Sequence, residues 1–163
     1  MLFVHKRMLV SISGISDSKF KKIVHKAVEF YAGLLLSPRI SKHITIDIEF
    51  SNKLDNNADG YCDVEGYNSR NKPREFTIQV RKNKSKRYMM MTLAHEMVHV
   101  KQFAMGELHE NMNAWKGKRL PSSVDYWDTP WEIEAHGREY GLYSRFAQKH
   151  NVRYKKTAYE RDN

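Results

Sequence analysis

The 163-residue chain has a single cysteine, Cys62. One thiol cannot close an intramolecular disulfide, form a CxxC redox pair or build a zinc ribbon. No apolar run approaches the roughly 18 residues that a membrane helix needs. His5, Lys6 and Arg7 interrupt the apolar stretch at the start, which spoils it as a secretory signal. An intracellular, reducing location is the expectation. The four prolines are scattered, and no repeat, low-complexity tract or linker divides the chain, so one domain over 1–163 is expected. Aromatic residues at 12% are too many for a disordered chain, and 40% apolar residues suffice for a core.

Acidic residues are outnumbered, 19 against 28 lysines and arginines, for a net charge of +9. The basic residues group at 19–26, 81–87, 116–119 and 145–156. Such an excess fits nucleic acid or another acidic partner, or simply a solvated basic surface. No zinc finger, helix-turn-helix signature or RNA-binding aromatic motif accompanies it, so weak nucleic-acid binding rests on charge alone.

Periodicity predicts the elements. Ser16-Asp17 caps a helix running to about Leu36, with Phe20, Ile23, Val24, Ala27, Val28 and Tyr31 recurring at three and four; Pro38 ends that segment. Residues 43–50 alternate with Ile44, Ile46, Ile48 and Phe50 on one side, and 74–81 with Phe76, Ile78 and Val80, so both read as half-buried strands. Residues 61–67 read as a short strand and 1–12 as a further one; 51–60 is a polar turn region and 69–73 a loop. Ser85 caps a second helix over 86–105. Residues 107–128 look irregular. Thr129-Pro130-Trp131-Glu132 opens a third helix to about Lys149 with the pattern of a capping box, and the last dozen residues fray. Strands clustered between helices indicate α+β, a small sheet on a few helices.

The chemistry centres on His95-Glu96-Met97-Val98-His99, an HExxH pentad. Random placement of 8 histidines and 11 glutamates would produce this metal-site signature only about 0.03 times per chain. On a helical wheel, Thr92, His95, Glu96, His99 and Phe103 share one face, and apolar residues cover nearly all the rest. A helix apolar almost all round is buried. Two histidines and a glutamate buried without partners cost about 1–3 kcal/mol per unsatisfied group. A metal ion removes that cost. Histidines one turn apart can aim at one ion, and the glutamate beside the first reaches water next to it. Two histidines and a carboxylate leave Zn²⁺ a fourth position for water, whose proton Glu96 would take. A core helix whose histidines bond to backbone or carboxylates is the bland alternative.

The pentad resembles the zincin metallopeptidases. LAHEMVHVKQ and the later PWEIEAHGRE look like small phage-type and bacterial metallopeptidases, with a similar layout over about residues 40–145. The resemblance implies a minimal zincin-like fold. An active-site helix would lie under a small twisted sheet, a C-terminal helix would bear a ligand, and a protein or peptide substrate would lie along the edge strand. It also implies the host cytoplasm if the chain is phage-encoded. Gln102 and Met105 stand where the metzincin branch has a glycine and a third histidine, which excludes that branch. The branch with a glutamate ligand carries Glu-x-x-Ala, matched by Glu132-Ile133-Glu134-Ala135, so His95, His99 and Glu132 become the implied zinc ligands. His136, Glu139, Tyr140 and Tyr143 follow near the Glu132 face.

Alternatives remain open. Glu132 can instead be the capping-box glutamate, and Glu134 is a weaker ligand candidate. His109 would be the third ligand in a SprT-like, DNA-associated protease, and a non-catalytic binding module could retain the scaffold. The family often has an acidic residue four after the ligand to orient the first histidine, but His136 stands there. That function passes to Glu139, Asp125 or Asp128, unless His136 itself polarises a substrate carbonyl. Tyr126, Tyr140, His136 and Arg138 are candidates for stabilising an oxyanion. Trp115, Trp127 and Trp131 either pack or wall a substrate pocket. Cys62 reads as inert.

Overall fold

The computed structural model describes residues 8–82 and 84–155. Four helices and a four-stranded mixed sheet make an α+β fold, with a second sheet of two very short strands. The strands are β1 (Leu9–Ser13), β2 (Thr45–Ser51), β3 (Gly60–Tyr67) and β4 (Pro73–Arg81), in spatial order β1-β2-β4-β3. β1, β2 and β4 are parallel, while β3 pairs antiparallel with β4 and forms an edge. The first strand begins at Leu9; the part of its expected range in residues 1–7 lies outside the described residues.

Helix α1 (Ser18–Leu35) links β1 to β2, the long crossover that a parallel pair requires. The Asp17 carboxylate caps it by accepting from the Phe20 N–H at 3.0 Å. Pro38 does more than end that helix: it opens a one-turn helix, α2 (Pro38–Ser41), because its fixed φ suits a first turn. β3 lies beyond β4, so the 52–59 segment must pass over the end of β4. Arg81, at that end, holds the segment by donating to the carbonyls of Ala58 at 2.8 Å and Leu54 at 3.0 Å.

Alternation sorts the sheet into two faces. Ile46, Ile48, Phe50, Phe76, Ile78 and Val80 point into the core, in the registers Ile46–Phe76, Ile48–Ile78 and Phe50–Val80. The other face carries the polar row Ser11, Asp47, Thr77 and Asp63. α1 and α3 (Lys86–Ala104) lie against the apolar face and α4 (Pro130–Lys149) packs on those two helices, together contributing Val24, Val28, Leu93, Met97, Ala135 and Phe146 to one continuous core. The Ser85 side chain caps α3, accepting from the Tyr88 N–H at 3.1 Å.

The region expected to be irregular holds a minimal hairpin, β5 (Ala114–Trp115) and β6 (Lys118–Arg119), and a 3-10 turn at Tyr126–Asp128. Two-residue strands are too short to leave an alternation signal. Lys116 and Gly117 both take positive φ to close the hairpin. Among the described residues, no helix is long and apolar enough to cross a membrane.

Candidate metal centre

Helix α3 carries the pentad at its most buried stretch, between the sheet and the other helices. His95, Glu96 and His99 are all buried, on a helix otherwise lined with Leu93, Ala94, Met97, Val98 and Val100. Helix α4 packs across α3 and brings Glu132 from its first turn to the same point, only 3% exposed. The Nε2 atoms of His95 and His99 are 3.1 Å apart. Glu132 Oε2 lies 3.2 Å from His95 Nε2, and Glu132 Oε1 lies 3.5 Å from His99 Nε2. Bonds of about 2.0–2.1 Å to a tetrahedral zinc ion put neighbouring ligand atoms about 3.3–3.4 Å apart. Each of these pairwise separations is close to that value, with one Glu132 oxygen facing each imidazole. His95, Glu132 and His136 also offer ligand atoms within 4.8 Å of one another, but His136 Nε2 is 3.8 Å from Glu132 Oε2, outside that closer set.

Both imidazoles are oriented from behind. His95 Nδ1 donates to Glu139 Oε2 at 2.8 Å, so the orienting carboxylate comes one turn later than the position His136 occupies. His99 Nδ1 is 2.8 Å from Gln102 Oε1. The orientation of that amide follows from its other partners. Gln102 is fully buried, and its NH2 group faces two pure acceptors, the Trp131 carbonyl and Glu134 Oε2, each at 3.0 Å. Its oxygen must therefore face His99, whose Nδ1 donates to it, so that Nε2 is the atom turned towards Glu132. Glu134 itself is bound to Lys101 at 2.8 Å and Arg138 at 3.1 Å, which with Gln102 occupies it away from the imidazoles.

The electrostatics fit a site made for a cation. Burial works against a charged His95, yet Glu132, Glu139 and Glu96 outweigh it and hold the imidazole up to about 10. His99 is raised as well, against the same opposing burial. Burial would favour a neutral Glu132, but hydrogen bonds from His95, His99 and Tyr126 hold its carboxyl well below the usual range. An ion bound by these groups would have to displace a proton from the imidazoles.

Glu96 differs from its neighbours: it makes no hydrogen bond to any described residue, and burial raises its carboxyl despite the two nearby imidazoles. It sits under the start of β3. A Cβ on Gly60 would come within 2.6 Å of Glu96 Oε1, 2.8 Å of Thr92 Cγ2 and 3.0 Å of the Gln79 carbonyl oxygen. A side chain here would push Glu96 and Thr92 aside, so the glycine lets the edge strand pass this close to the carboxylate. Further along that strand, burial and then the carboxylates of Glu96 and Asp63 hold the Cys62 thiol well above its usual range, in the unreactive protonated form.

The exposed side of the centre is formed by the 3-10 turn and α4. The Tyr126 hydroxyl donates to Glu132 Oε2 at 2.7 Å and lies 3.4 Å from His136 Nε2. Burial and that carboxylate keep the phenol protonated. The His136 ring packs at 4.5 Å on His95 and at 4.8 Å on Trp127.

Of the residues singled out in the sequence, His95, His99 and Glu132 meet at one point, with Glu96 beside them and Glu139, Tyr126 and His136 around them. Others stand apart. His109 is exposed in its own loop, where Nδ1 accepts from the Asn111 N–H at 3.2 Å. Asp125 caps the 3-10 turn by accepting from the Trp127 N–H. Arg138 is engaged by Glu134, and the Tyr140 ring by Arg87. The capping-box reading of Thr129 and Glu132 is corrected. Thr129 is the N-cap residue, but its hydroxyl donates to the Tyr126 carbonyl at 2.7 Å, and Glu132 turns to the imidazoles instead. Gln102 and Gly60 escaped sequence reasoning. A glutamine three residues after the second histidine, inside an apolar helix, is the signal that could have revealed Gln102. Nothing local marks Gly60, because its constraint comes from α3 and β4. Scans against protein-family models, curated proteins and solved structures return no match to this chain.

Proposed function

We propose that this chain is a zinc-dependent peptide hydrolase, with His95, His99 and Glu132 as metal ligands and Glu96 as general base. The observation that carries the reading is the meeting of three side chains from two helices: the two Nε2 atoms lie 3.1 Å apart, and the two Glu132 oxygens face one imidazole each, at 3.2 and 3.5 Å. The spacing matches a tetrahedral zinc site, and each imidazole presents Nε2 to it. A bound zinc ion would supply a Lewis acid for a substrate carbonyl and lower the pKa of a water molecule at its open position.

The chain's own groups do the rest. Glu96, buried and without a competing hydrogen bond among the described residues, takes a proton from the attacking water as the new C–O bond forms. It returns that proton to the amine as the C–N bond breaks. Tyr126 and His136, flanking the exposed side of Glu132, are placed to donate to the carbonyl oxygen as charge develops on it. The free edge of β3, which begins beside Glu96, offers backbone groups to an extended peptide.

The test is hydrolysis of an unstructured protein such as casein by the zinc-loaded chain in ¹⁸O-labelled water. New carboxyl termini carrying the label are expected, lost on chelation and on Glu96→Gln substitution while that variant keeps its zinc. Cleavage undiminished by Glu96→Gln, or no cleavage by the loaded wild type, contradicts the reading.

A further inference from the structure

The three tryptophans before and within the start of α4 have separate fates. Trp131 is buried, and Trp115 is half-buried against the core. Trp127 is left 65% exposed, with its neighbour Tyr126 at 50%. Large aromatic rings side by side in solvent are uncommon on a folded chain unless something covers them. These two are not on a remote surface. The Trp127 ring lies nearly parallel to His136, 32° between planes and 4.8 Å between centroids, and His136 lies against the ligand His95. Tyr126 meets Trp127 edge to face at 5.2 Å and reaches Glu132 through its hydroxyl. The turn that carries both rings is fixed by Asp125 at the Trp127 N–H and by Thr129 at the Tyr126 carbonyl, so the aromatic ledge is held in place beside the metal centre.

We infer that Trp127, with Tyr126, is the specificity surface of this centre and takes a bulky apolar or aromatic side chain of the peptide, next to the bond cleaved. The inference rests on the metal-centre reading above. A residue in an extended peptide advances by about 3.3 Å, so a side chain one residue from a carbonyl at the metal reaches a surface one ring beyond His136. Both rings offer apolar faces, and neither Tyr126 nor Trp127 carries a charge that would select a polar side chain.

The test uses the zinc-loaded full chain and two metal-binding probes that differ by one benzyl group, N-acetylglycine hydroxamate and N-acetylphenylalanine hydroxamate, titrated calorimetrically. The phenylalanine probe is expected to bind roughly tenfold or more tighter. Trp127→Ala should remove that preference and leave the glycine probe unchanged, which also shows that the variant is folded and loaded; Trp127→Phe should retain most of it. Equal binding of both probes to the wild type, or a preference that survives Trp127→Ala, overturns the ledge and leaves the metal centre standing. If neither probe binds, the ledge and the metal centre are overturned together.

Discussion

Helices α1 and α3 pack into the same core, but they bury opposite chemistry. The buried set of α1 is Phe20, Val24, Ala27, Val28, Tyr31 and Ala32, while Lys19, Lys22 and Lys26 stay exposed. This is the division expected of a helix whose burial stabilises the fold. α3 has no such division: His95, Glu96, His99 and Gln102 lie inside among its apolar residues. Four polar side chains in a core are tolerable only when partnered, at about 1–3 kcal/mol for each one left unsatisfied. Three of the four are satisfied by one another and by α4; Glu96 has only electrostatic neighbours. The contrast separates a helix that only fills the core from one that also holds a buried polar cluster in place.

Substitutions in the two helices should therefore separate catalysis, metal binding and stability. The largest effect is expected for Glu96→Gln, which removes the proposed base but no proposed ligand. Hydrolysis should fall by about 10²–10⁴-fold with zinc content unchanged, as measured by steady-state rates beside metal analysis. Next is Gln102→Leu, which frees His99 from its orienting amide. Zinc affinity, measured by competition with a chromophoric chelator, should drop by about 10–100-fold. On α1 the sign of the comparison reverses. Val24→Ala should cost about 2 kcal/mol of unfolding free energy in denaturant and leave zinc affinity where it was. A variant of α1 that lost zinc while still folded would erase the distinction.

The smallest effect sharpens the comparison through pH. His95 is held up to about 10 in the folded chain against an ordinary 6.5. A raised value means that its protonated form stabilises the metal-free fold fully below about pH 6.5, and that this stabilisation is lost as pH climbs towards 10. The melting temperature of chelator-treated protein should fall across that window. His95→Ala should flatten the fall, whereas Val24→Ala should lower the whole curve without changing its shape.

How much of this was legible in the sequence depends on the range of the interaction. The caps at Asp17 and Ser85 and the alternation in β2 and β4 are local, so they place the elements directly. The pentad is local as well, since one helical turn is enough to align His95 with His99. Strand pairing is not local: alternation marks which residues of β2 and β4 face inward, but not that the two lie parallel with β3 outside them. Glu132 shows the limit best. Three residues after a threonine at a helix start, a capping glutamate and one that reaches across to two histidines look the same, and only the packing of α4 on α3 separates them. Gly60 is the extreme case, a residue constrained by Glu96, Thr92 and the Gln79 carbonyl, all distant in sequence.

The central claim, that two helices converge to make one metal site, is tested most directly by metal analysis of the purified wild type beside His95→Ala, Glu132→Ala and His109→Ala. About one zinc per chain is predicted for the wild type and for His109→Ala, and none for the other two. Zinc retained by Glu132→Ala, or absent from the wild type even after zinc is supplied, would contradict it.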